Sequence, residues 1–232
     1  MPESEPYLKI KPYITAFKDG YKERNTNAII KAAENLKENI KANSGDYEKY
    51  LGNKYFDFNI VLDNIINSIN AYASNSVNID SIREPAIYSN FKRIYSYLPK
   101  GKYYGEFGLE HVSQNTYYSY LGDKTRFAMY LNGSDSPVKG KVLSIAYAYK
   151  DCKRMTWGGE GYADSGLNNI DIFNNLSNSD ITLFKLNGAG SPFSRKICFV
   201  DTEKSDRADT DYFKYIILIK NSKAAIPYEN PK

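Results

Sequence analysis

Glu160 and Asp164 stand four residues apart in the stretch CKRMTWGGEGYADSG (152–166), beside Trp157, the one tryptophan of the chain. Two carboxylates flanking a sugar, with an aromatic ring for that sugar to stack on, are the least a glycosidase needs. These three residues supply those types within one loop. Glu and Asp beside glycine are also routine loop residues, so a carboxylate-dependent hydrolase ranks below a binding role. Trp157 with Tyr147, Tyr149 and Tyr162 would make an aromatic platform for a glycan or a protein partner. The competing reading makes Trp157 a packing plug, with Gly158 and Gly159 turning the chain tightly over it. The local residues favour the plug.

Other chemistry is excluded more firmly than any is supported. His111 is the one histidine, so a Ser-His-Asp or Cys-His mechanism would have to run through it. Cys198 falls in the strand-like run KICFV, where a buried inert thiol is the default, and Cys152 has no catalytic neighbour in sequence. No HExxH, CxxC or paired-histidine spacing occurs, which argues against a zinc site or other metal. GxxxxGK[ST] and a strand-to-helix GxGxxG are also absent, which removes the common nucleotide cradles and any cofactor they would hold. The glycine-rich NGAGSP (187–192) reads as a hairpin loop. The remaining carboxylates of interest, Glu106 and Glu110, fall in or beside loops of the second half.

The elements that would position these residues change character near residue 100. Before it the period is helical. NTNAIIKAAENLKENIKANSG sets Ile29, Ala33, Leu36 and Ile40 on one face, with Thr26 as N-cap and Gly45 beyond the end. FDFNIVLDNIINSINAYAS repeats the pattern through Phe58, Leu62, Ile65, Ile69 and Tyr72. SIREPAIYSNFKRIYSYLPKG places Pro85 in a first turn and runs Ile87, Phe91, Ile94 and Leu98 down one face. After residue 100 the period falls to two. NTYYSYLGDKTRFAMYLNG reads as a hairpin turning at Gly122-Asp123. KYYGEFGLE, KGKVLSIAYAYKD, DITLFKLNG, RKICFVD and YFKYIILIKN add strands, for about seven in all, and LNNIDIFNNL a short helix. The expected architecture is α+β: N-terminal helices packed on, or extending from, an antiparallel β-sandwich or rolled sheet. No Pro/Gly/Ser-rich linker separates the halves, so residues 1–232 read as one structural unit, helical over 1–100 and β over 101–232.

The 232 residues carry 22 Tyr and 23 Asn, and a net charge of +4 with the two signs interleaved. AT-rich codon usage favours the same residue types. Selected or not, they make low-charge, hydrogen-bonding surfaces suited to another protein, a glycan or copies of the same chain. No basic run marks a nucleic-acid arm. MPESEPYLKIKPY lacks a secretory pattern, and no run approaches the length needed to span a bilayer, so the expectation is a cytoplasmic protein.

SGLNNIDIFNNLSNSDITLF (165–184) is similar to the serine- and asparagine-rich loop of the cypovirus polyhedrins and the short Asn-aliphatic-Asp-aliphatic-Phe stretch it leads into. YGEFGLEHVSQNTYYSYLGDKTRFAMYL (104–131) resembles the strand pair before that loop in the same family. The likeness covers about a third of the chain, and three N-terminal helices depart from the family's helical arm and early strands. The resemblance transfers no functional residue. It implies a non-enzymatic, self-assembling protein of the viral occlusion-body or intracellular-crystal kind.

Overall fold

The computed structural model describes residues 4–23, 25–73, 79–116, 124–163, 167–194 and 207–225. The chain divides into two compact units, Met1–Arg93 and Ile94–Lys232.

The first unit is helical: α1 (Glu5–Lys22), α2 (Thr26–Ala42), α3 (Ser44–Leu51), α4 (Tyr55–Ala73) and most of α5 (Ile79–Tyr97). Helix α2 buries Ile29, Ala33, Leu36 and Ile40, the face its spacing predicts. Its cap is Asn25 rather than Thr26: the Asn25 side chain accepts the Ala28 N–H at 3.1 Å. Helix α2 ends at Ala42, so Gly45 lies beyond its end as expected, within α3, which starts at Ser44. Ile10, Ala33, Leu36, Ile40, Tyr47 and Leu62 form the core. Gly20 lets α1 meet the start of α2 closely, since a Cβ there would lie 3.3 Å from the Ala28 carbonyl carbon.

Further sequence expectations change along these helices. Helix α1 was not legible because Pro12 interrupts its pattern. The proline is exposed, so the missing bond to the Leu8 carbonyl falls on the solvent side. Pro85 likewise lies inside α5 and not in its first turn, the helix beginning at Ile79. The buried face of α5 is therefore Asp80, Glu84 and Tyr88, with Arg83 within 3.0 Å of Asp80 and 3.6 Å of Glu84. Ile94 and Leu98 are exposed instead. In α4, Leu62 is buried as expected but Tyr72 faces solvent.

The second unit contains α6 (Leu109–Val112), α7 (Phe127–Asn132), β1 (Ile145–Lys150), β2 (Lys153–Thr156), β3 (Gly159–Tyr162), α8 (Asp171–Leu176), β4 (Ile181–Lys185) and β5 (Tyr215–Lys220). The described strands form a three-stranded sheet in the order β1-β5-β4 and a two-stranded hairpin of β2 and β3. This is α+β, but not an antiparallel sandwich of seven strands. β1 runs parallel to β5, with Ile145 opposite Tyr215, and β4 runs antiparallel to it. Residues 151–214 intervene between β1 and β5, a connection long enough to return the chain in the same direction. Local periodicity carries no information about that pairing.

Two expected strands take other forms. RFAMYLN is helix α7, in which Met129 and Tyr130 donate to the Arg126 carbonyl at 3.0 and 3.2 Å. Ala128, Met129 and Leu131 are good helix formers, and they outweigh the alternating aromatics. KYYGEFGLE has no strand; Gly108 instead leads into α6. The first arm of the expected hairpin, its Gly122-Asp123 turn and the RKICFVD strand lie outside the described residues.

One face of the three-stranded sheet buries Ala146, Ala148, Ile216 and Leu218 against Phe173, Phe193 and Phe213. Phe173 of α8 stacks on Phe193 with centroids 5.1 Å apart and meets Phe184 edge-on at 5.0 Å. The small alanines of β1 leave room for these rings. The LNNIDIFNNL segment forms a helix, as its pattern predicts, and docks through Phe173.

Tyr47, fully buried in the helical core, donates to Asn39 Oδ1 at 2.6 Å, and burial pushes its phenol up to about 12. A raised folded value means that this contribution to stability is whole below pH 10 and is lost as pH rises from 10 through about 12. Tyr47→Phe should cost about 1 kcal/mol at neutral pH through the lost hydrogen bond. Thermal melts followed by helical circular dichroism should show the wild type losing that advantage above pH 10. Parallel pH profiles for the two proteins would contradict this account.

Candidate functional site

Trp157 sits at the tip of the β2–β3 hairpin. Lys153 pairs with Tyr162, Met155 with Glu160, and Thr156 with Gly159, leaving Trp157 and Gly158 as the turn. Gly159 has φ +108°, a region open to glycine at little cost. The Thr156 hydroxyl closes the turn, donating to the Gly159 carbonyl at 2.8 Å. The base of the hairpin is fixed to the larger sheet: Lys153 N–H donates to the Ser222 carbonyl at 2.8 Å, and Asn221 N–H to the Lys150 carbonyl at 3.0 Å. Cys152, buried there, directs its thiol at the Ile219 carbonyl, 3.2 Å away.

Beyond that base the hairpin stands in solvent. Every residue of β2 is exposed, and Trp157 shows 109 % of its reference area. It is not a packing plug. Nor is it joined to the expected platform, since a ring exposed on all sides touches none of the tyrosines. Tyr162 lies down the hairpin, exposed, next to the Lys153–Glu160 ion pair (3.3 Å). Glu160 is thus a solvated, paired carboxylate on an open strand with no water-excluding cleft around it. Asp164 lies outside the described residues.

Tyr147 and Tyr149 belong to a different surface, the outer face of the three-stranded sheet. Alternation along β1 buries Ala146 and Ala148 and turns both tyrosines the other way. The segment before α6 lies against them. The pairing with Tyr147 is the main cause raising the Tyr104 phenol above its ordinary value. Burial is the main cause raising the Tyr149 phenol, with Tyr147, Glu106 and Cys152 adding negative character nearby. Both phenols are therefore neutral over the physiological range.

The same face continues across the sheet as rows of apolar residues. Tyr147 lies beside Ile217 and Ile217 beside Leu183; Tyr149 lies beside Ile219 and Ile219 beside Ile181. Ile181 and Leu183 are 67 % and 59 % exposed, high values for aliphatic residues within a strand. Sequence reasoning found the two tyrosines and missed these isoleucines and the leucine. A signal existed: YIILIK is apolar at both strand parities, the mark of a strand with two apolar faces.

Comparison of the chain with protein-family models, curated proteins and solved structures returns no match. The geometry alone therefore carries any functional reading.

Elsewhere in the second unit, Arg126 is buried and paired with Glu110, which places that expected loop carboxylate in a structural contact at α6. A shallow open cleft of about 420 Å³ lies in the helical unit, lined by Lys37, Glu38, Ile40, Lys41, Tyr55 and Asn59. None of the residues singled out from sequence as a candidate catalytic or binding group borders it. Among the described residues no group of three or more His, Cys, Asp or Glu is placed to hold a metal ion. Among them also, no helix is long and apolar enough to cross a membrane.

Because Trp157 packs on nothing, Trp157→Ala should leave stability within about 0.5 kcal/mol of wild type. Its fluorescence in the dilute native protein should be as red-shifted and as readily quenched by acrylamide as in the unfolded chain. A blue-shifted, protected emission in a monomeric sample would contradict the exposed hairpin tip.

Proposed function

We propose that this chain is a non-enzymatic structural protein that self-associates, using the outer face of its three-stranded sheet as a contact surface. The supporting observation is that face itself. A sheet normally turns one face to its core and a polar one to water. Here the second face carries Tyr147, Tyr149, Ile217 and Ile219 at half burial, with Ile181 and Leu183 largely exposed beside them. Contiguous apolar surface rimmed by polar groups marks association sites. The rim is present in Tyr104, Glu106 and Lys185, which offer hydrogen bonds and charge at the edge. The polyhedrin-like segment 165–184 contains α8 and all but the last residue of β4, so it contributes to both the core and this face. An assembly of the occlusion-body or intracellular-crystal kind is the form that likeness suggests.

A second reading is favoured by one specific observation, the full exposure of Trp157 at the end of a projecting hairpin. It would make the hairpin tip a contact point for a glycan or another protein. The hydrolase reading of Glu160 with Asp164 gains no comparable support, since Glu160 is ion-paired to Lys153 in the open.

Sedimentation velocity over a range of protein concentration, pH and salt tests self-association. Assembly should grow with concentration, and Ile181→Glu should weaken it while leaving stability within about 0.5 kcal/mol, because the side chain is on the surface. A monomer under all these conditions would overturn the proposal.

A further inference from the structure

We infer that the open edge of β4 pairs antiparallel with β4 of a second copy about a two-fold axis at Leu183, fusing two three-stranded sheets into one of six strands. The inference rests on the self-association reading and specifies its geometry.

The hydrogen-bond phase of the sheet decides which groups face the open edge. Lys220 N–H donates to the Asp180 carbonyl at 2.7 Å, and Leu186 N–H to the Lys214 carbonyl at 2.9 Å. With Thr182 opposite Leu218 and Phe184 opposite Ile216, the even positions of β4 face β5. In an antiparallel ladder the intervening residues then point their N–H and C=O the other way. These are Ile181, Leu183 and Lys185, on the side where β4 has no neighbour among the described strands. The Ser179 hydroxyl donates to the Ile181 carbonyl at 2.7 Å, which leaves that oxygen a second lone pair.

Edges of this kind are usually blunted by proline, a bulge or several charges. ITLFK has no proline, pairs regularly with β5 along its length and carries one charge, at its end.

The edge is self-complementary in one register. A two-fold axis normal to the sheet keeps the outer face outward, so odd residues must oppose odd residues. Centring on Leu183 sets Leu183 against Leu183 and Ile181 against Lys185. All three donors and acceptors on each strand are then matched. The Lys185 stem covers Ile181, and no like charges stand opposite. Centring on Lys185 would oppose two ammonium groups; centring on Ile181 or Thr182 would leave Lys185, and centring on Phe184 would leave Ile181, with no partner inside the second β4. The chosen register also prolongs the apolar row: Tyr147, Ile217 and Leu183 continue into the same three residues of the second copy in reverse order.

Disulfide trapping on the full-length chain tests this, in a Cys198→Ser background that leaves only the buried Cys152. Across a hydrogen-bonded pair the two Leu183 Cα atoms would be about 5.5 Å apart, within disulfide reach. Leu183→Cys, oxidised with diamide, should give a covalent dimer. The two Ile181 positions would be about 14 Å apart at four residues' rise, beyond reach. Leu183→Cys should therefore cross-link on the order of a hundred-fold faster than Ile181→Cys. The double variant Ile181→Cys/Lys185→Cys should cross-link as Leu183→Cys does. Far-ultraviolet circular dichroism of each variant confirms the fold. An assembling protein in which Leu183→Cys stays uncoupled, or Ile181→Cys couples as fast, overturns the edge pairing while self-association stands. A protein that is monomeric throughout overturns both.

Discussion

The C-terminal unit depends on the position of β5. It is hydrogen-bonded on one side to β1 and on the other to β4, and it presents Ile216 and Leu218 to the aromatic core. Ile217 and Ile219 go to the opposite face. Once a strand of this composition is placed centrally, both of its faces must be covered or tolerated as apolar surface. The inward face is solved locally by the alanines of β1 and the phenylalanines of α8 and the following loops. The outward face is covered only in part, by the tyrosines and the segment carrying Tyr104 and Glu106. The functional reading of the protein follows from that asymmetry.

The described charged groups of this unit have a simpler setting than its two sheet faces. The titratable groups singled out by type are either solvated, as with Glu160 beside Lys153, or engaged in structural pairing, as with Glu110 beside Arg126. Their surroundings give them the ordinary jobs of charged residues. What is unusual in the unit is apolar: aliphatic side chains in water on a strand that has no neighbour on one side among the described residues.

Much of the helical unit could be read from sequence because its information is local. The 3.6-residue spacing of Ile29, Ala33, Leu36 and Ile40 translates directly into a buried stripe. It failed where Pro85 was taken as a helix start and where Pro12 interrupted the pattern of α1, since an exposed proline costs a helix one bond without ending it. The β unit was legible in its pieces, β1, β4, β5 and α8, and not in its assembly. Parallel pairing is settled by residues far apart in sequence, and RFAMYLN shows that a short alternating run can satisfy helix and strand patterns equally. The candidate site divided in the same way. Tyr147 and Tyr149 were found by composition, but grouping them with Trp157 relied on nearness in sequence, which the ladder of β1 and the projecting hairpin undo.

The parallel pairing of β1 with β5 has a consequence for the order of events during synthesis. Each residue of β1 waits for a partner seventy positions later. The helices before residue 94 make contacts between near neighbours, which form early and quickly. β1, β4 and the hairpin, by contrast, emerge from the ribosome before the strand that joins them exists. Until β5 arrives, β4 lacks the partner that it pairs with along its length and α8 has no completed sheet to close against. The interval between translating β4 and translating β5 is thus the period in which premature strand exchange between nascent chains would compete with folding.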